Sequence, residues 1–143
     1  MIILILILAC LGGYCYRRGG TSAGTLWRDI GVSLVTLVTL WLLNGFNVSY
    51  WWVYLLTFGL SWGSLASYWG LDEQKWGYFA HGLGLSLAML PFTYVTGHWL
   101  GFGLRTIVLT VSITLWSEFT THVDLEEFGR GFFTVATIPL LLI

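Results

Sequence analysis

The sequence predicts an all-α, polytopic integral membrane helical bundle of five or six transmembrane segments in a single domain, and three observations predict it. Of 143 residues, 57% are apolar and only 9% charged, with a mean hydropathy of +0.80, whereas about a quarter of a soluble domain is charged. The apolar residues gather into windows of membrane-spanning length separated by short polar breaks. Tryptophan falls at the window edges, where an amphipathic indole sits best at headgroup level. Trp27, Trp41, Trp51, Trp52, Trp69, Trp76, Trp99 and Trp116 all do so, and Trp62 alone is mid-window.

In chain order the windows are about 1–16, 26–43, 50–69, 78–97, 99–117 and 131–143. At about 1.5 Å per residue against a hydrocarbon core near 30 Å, the middle four are each long enough to cross. The first has no basic stretch before it, and Arg17 and Arg18 follow it, so a retained span is expected rather than a cleaved signal. The last would reach only about 20 Å as a helix. It therefore penetrates partway, begins upstream, or sits where the bilayer is thin. Pro91 is expected to kink the fourth segment and Pro139 the last. Gly59 and Gly63, continued by Ser67, form a GxxxG face, and Gly97 with Gly101 forms a second. Such faces pack helices closely, within one chain or between copies, so a homo-oligomer is expected. No internal repeat is visible, which leaves an inverted-repeat transporter without support. Cys10 and Cys15 are too far apart for CxxC and read as small apolar fillers.

The formal net charge of -1 and the scatter of six basic residues over five places give no nucleic-acid footprint. Arg17, Arg18 and Arg28 flank the first connection, while 44–49 carries no charge and 95–98 only His98. The first connection is therefore assigned to the cytoplasm, with both termini outside if all six segments cross. Asp72, Glu73 and Lys75 then face inward too, as does the stretch SEFTTHVDLEEFGRG at 117–131, which holds four of the seven acids. If the fifth helix continued past Trp116, Glu118, His122, Glu126 and Arg130 would recur every four residues as one stripe. Glu126 before Arg130 is the favourable order for an ion pair. Asp124 and Glu127 would point toward Arg17 and Arg18, and Gly129 and Gly131 would let the backbone break before the last segment.

This polar cluster, Arg17, Arg18, Glu118, His122, Asp124, Glu126, Glu127 and Arg130, is the first candidate site. His81 could approach His122, yet neither HExxH nor the Glu-x-x-His of di-metal bundles is present, so no metal or other cofactor is expected. No Ser-His-Asp set or phosphate-cradling loop emerges, which points away from an enzyme. Arg105, a turn or two inside the opposite end of the fifth window, is the second candidate. There it either snorkels outward beside His98, the expected arrangement, or points into a polar cavity between helices, and with no acid on that side an anionic lipid or a solute anion is its expected company.

Laid side by side, "YRRGG", "LWRDIG", "GHWLGFGLR" and "EEFGRG" with the closing "IPLLLI" give a chain that resembles the small multi-span membrane proteins encoded by tailed bacteriophages and prophages. The resemblance implies a bacterial inner membrane and a lysis, exclusion or host-modification role. Holins, the best-known members of that size class, end in a charged hydrophilic tail, whereas this chain ends in "PLLLI" and has more windows than most. Lipid, a second copy of the chain and a small anion are the expected partners. The expected function is a homo-oligomeric pore or solute-translocating protein whose inner mouth the charged cluster lines. The alternatives are a membrane-embedded enzyme acting on a lipid headgroup, with His122 as base, and a structural or regulatory subunit.

Overall fold

The computed structural model describes residues 1–19, 27–45, 47–66, 75–120 and 123–143. They are helical almost throughout, with no strand among them. In order, α1 spans Ile2–Gly19, α2 Val32–Leu43, α3 Trp51–Ala66, α4 Lys75–Leu87, α5 Leu90–Thr96, α6 Trp99–Phe119 and α7 Val123–Ala136. A π-helical turn at Trp27–Gly31 leads into α2, a 3-10 turn at Val48–Tyr50 leads into α3, and a second 3-10 turn at Ile138–Leu142 follows α7.

The breaks have local causes. Pro91 has no N–H to give to Leu87 O, and the Met89 amide bonds Ser86 O at 3.0 Å, so the fourth segment divides into α4 and α5. Gly97 ends α5 with φ +75, the left-handed conformation that glycine adopts without strain, so its role is a helix cap and not a packing face. Thr120 turns both its amide (3.0 Å) and its hydroxyl (2.6 Å) onto Trp116 O and stands in extended conformation, which ends α6. The last segment therefore starts at Val123, well upstream of 131, and runs through Gly129 and Gly131 without a break. Among the described residues, only α6 is by itself long and apolar enough to cross a membrane, and Gly82–Thr96 is a shorter apolar stretch.

Successive segments run antiparallel, with α4 and α5 counted as one. Gly31 sits on Cys15, Gly82 on Thr110, and Gly84 on Ser64, while Gly101 lies against Leu140 and Gly129 against Trp116. The first and last segments close the ring: Gly12 meets Gly131 and Val135, and Gly13 meets Phe128. These glycines let backbones approach where a side chain would not fit. Gly59 and Gly63, by contrast, have nothing within 4 Å, so the first GxxxG face is not used inside the chain. Ser67 lies outside the described residues.

Two buried apolar clusters lie within the ring. One joins Ala9, Leu40, Val53, Met89, Phe92 and Ile138, and the other joins Cys15, Tyr16, Val32, Leu65, Leu109 and Ile113. The distribution of polarity is nonetheless the reverse of that in a soluble domain. Ile3, Leu55, Ile107 and many other large apolar residues are exposed, while Arg28, Arg105 and Arg130 are among the largest fully buried side chains.

Candidate functional site

Because the segments alternate in direction, the C-terminal ends of α1, α3 and α6 and the starts of α2, α4 and α7 share one end of the bundle. Arg17 and Arg18 are exposed on the last turn of α1 at that end. Glu126 and Arg130 form a 2.5 Å ion pair along α7, with Arg130 buried and Glu126 partly so, and Glu127 is buried next to them. The break at Thr120 removes the continuous stripe: Glu118 is exposed near the end of α6, on a different helix from Glu126. His122 lies outside the described residues, as do the side chains of Asp124 and His81.

A second buried pair at the same end was missed by the sequence reading, which used Arg28 only as a topology marker. Arg28 Nε donates to Asp29 Oδ1 at 3.0 Å, with both residues buried in the π-helical turn. The Ser33 hydroxyl closes on Asp29 O at 2.6 Å and ties that turn to α2. Opposite charges side by side in "WRDIG", at the mouth of an apolar window, were the available signal.

Arg105 corrects an expectation. It does not reach outward beside His98, which is exposed in the turn before α6; it is 0% exposed, and its guanidinium points into the bundle. Nη1 donates to Leu85 O (3.0 Å), Nη2 to Thr134 O (2.8 Å) and Nε to the Thr137 hydroxyl (3.1 Å). Leu85 is in the last turn of α4 and Thr134 in the last turn of α7. Both carbonyls sit where a proline-associated break interrupts the helical hydrogen-bond ladder. Each helix end carries roughly half a negative charge, so two of them offset a guanidinium without any carboxylate. The planar fork suits this task, because its donors diverge to several acceptors at once. Arg105 is thus a staple for two broken helices and is not placed to meet a lipid headgroup or a passing anion.

The outer surface carries apolar clefts. One of about 450 Å³ runs between α3 and the α4–α5 segment, lined by Trp52, Leu56, Leu60, Leu87, Pro91 and Tyr94. Among the described residues, no three His, Cys, Asp or Glu side chains gather to hold a metal ion. The chain matches no protein-family model, no curated protein and no solved structure.

Proposed function

We propose that the chain is a multi-pass protein of the bacterial inner membrane that passes a small polar solute through the interior of its own helical bundle. The observation that carries this reading is the inverted polarity: arginines inside, isoleucine and leucine outside. In water so much contiguous apolar surface is a liability. In a bilayer it is the stable arrangement, and ionisable groups turned to the bundle interior mark substrate pathways. Counted with its turns, each segment is about 25–33 Å long at ~1.5 Å per residue, matched to a hydrocarbon core near 30 Å. The pairs Arg28 with Asp29 and Arg130 with Glu126 line the inner mouth. That end is cytoplasmic, since Arg17 and Arg18 flank it and His98 lies at the other. The open Gly59 and Gly63 face is where a second copy would pack, but a pathway inside one chain does not need it. A phage-type lysis or exclusion role follows from this reading when the solute flux is large enough to upset the osmotic balance of the host cell.

Two measurements test it. With the native cysteines removed, Arg18→Cys is protected from a membrane-impermeant maleimide in intact cells, whereas His98→Cys is labelled; equal labelling at both positions overturns the crossing. In liposomes of phosphatidylethanolamine and phosphatidylglycerol, the purified protein speeds the permeation of at least one small polar solute. Arg130→Met slows it by about tenfold, equivalent to about 1.4 kcal/mol on the barrier. Permeation no faster than in protein-free vesicles overturns the translocation reading.

A further inference from the structure

Most buried or half-buried hydroxyls in this bundle close on the carbonyl one turn back in their own helix, as Thr39, Ser86, Thr114 and Thr134 do at 2.7–2.8 Å. Thr36, Thr57, Ser61 and Thr93 do not. Their hydroxyl oxygens are buried with no hydrogen-bond partner among the described residues, and each of the four residues is at most 2% exposed. Leaving a buried hydroxyl unmade is costly, and four such groups on adjacent helices call for a physical reason.

Their placement supplies one. Thr57 and Ser61 are one turn apart on the buried face of α3, between Val53 and Leu65. Leu37 and Tyr54 line one cleft between α2 and α3, which brings Thr36 to the level of Thr57. Ser64 against Gly84 and Trp52 beside Tyr94 set α3 antiparallel to α4–α5, so Thr93 stands on the third wall, past the Pro91 break. The four hydroxyls therefore lie on buried faces of α2, α3 and α5 beyond the charged end, with Thr36, Thr57 and Ser61 nearer middle depth and Thr93 in the last turn of α5, toward the opposite end.

We propose that these hydroxyls form a hydrated site for small neutral solutes that hydrogen-bond as water does, and that ions are not its ligands. This rests on the reading of the interior as a solute pathway. A hydroxyl both donates and accepts, and a buried water or a small amide or polyol needs a few such partners. An ion would need a field to replace its hydration, and the buried arginines are already offset: Arg28 by Asp29, Arg130 by Glu126, and Arg105 by two helix ends. No buried carboxylate or uncompensated cation faces the hydroxyls from α2, α3 or α5.

The test uses the full chain in liposomes, with two independent readouts. Met89 is buried in the cluster that also holds Val53 and Tyr54, one turn from Thr93, and reports water beside the site through radiolytic oxidation read by mass spectrometry. Wild-type Met89 is oxidised despite its burial. Thr57→Val with Ser61→Ala, which remove the hydroxyls at nearly constant volume, slow that oxidation and the permeation of urea and glycerol by about tenfold or more. The thermal midpoint does not fall, because no protein hydrogen bond is lost. Should that double variant not assemble, Thr93→Val carries the same expectation. Protection of wild-type Met89, oxidation unchanged in the folded variants, or chloride passing faster than urea and glycerol overturns the proposal. Met89 oxidation that responds to the variants without any solute flux upholds the hydrated site and overturns the translocation reading instead.

Discussion

Arg105→Leu is expected to leave no stable monodisperse protein in detergent, the largest loss among single substitutions at polar positions of this chain. The substitution strips partners from Leu85 O and Thr134 O and removes a donor to the Thr137 hydroxyl, all in the buried interior. At about 1–3 kcal/mol for each buried acceptor left unsatisfied, the loss is several kcal/mol, against a total stability of only about 5–15 kcal/mol. Removing the charge also removes the cost of burying it, which in other settings makes such replacements neutral. Here the acceptors are backbone carbonyls at helix breaks that Pro91 and Pro139 impose, and a leucine cannot satisfy them. Arg105→Lys keeps the charge but not the fork, so it is expected to assemble with a lowered thermal midpoint. A melt and a sizing profile in the same detergent check both variants, and an Arg105→Leu protein that melts with the wild type overturns the staple.

The same residue shows how far the sequence could be read. Each apolar window overlaps a helical segment of the described chain, because a helix long enough to be buried must be apolar along most of its length. The last window, 131–143, nonetheless misses the charged first turns of α7, which begins at Val123. The prolines marked two of the breaks for an equally local reason. For Arg105, a turn or two inside its window with no acid on that side, the sequence favours the outward orientation over a polar cavity between helices. The groups that offset it are backbone atoms of residues 20 and 29 positions away, and every sequence carries carbonyls everywhere. The stripe from Glu118 to Arg130 failed on one residue, Thr120, whose turn is set by its bonds to Trp116 O. In the glycine pattern, GxxxG picked out Gly59 and Gly63, which touch nothing, while the contact that closes the ring uses Gly12 and Gly131, far apart in sequence. A spacing motif identifies a thin face but not whether a partner reaches it.

Gly131→Ala and Gly103→Ala make the same chemical change in two helices and are expected to act in opposite directions. A Cβ at Gly131 would fall on Gly12 O, with Gly12 C and Tyr16 Cβ both at 2.8 Å, so α1 and α7 must move apart to admit it. No side-chain rotation relieves the clash, because the obstacles are backbone and the rigid base of a buried tyrosine. Overpacking of this kind costs about 1–3 kcal/mol and more where backbone is displaced, and this contact joins the first and last segments of the ring. Gly12→Ala is expected to cost less, since its nearest obstacle is a side-chain methyl, Val135 Cγ2 at 2.7 Å, and the backbone oxygen of Gly131 stands farther off at 3.2 Å. At Gly103, inside α6, a Cβ would meet nothing within 4 Å. Alanine there stabilises by about 0.5–1 kcal/mol, because it freezes less backbone freedom on folding. Thermal midpoints in one detergent are expected in the order Gly131→Ala, Gly12→Ala, wild type, Gly103→Ala, from lowest to highest. Equal midpoints for the Gly131 and Gly103 variants would mean that α1 does not lie on α7, and the ring that buries Arg130 and Glu127 would be open.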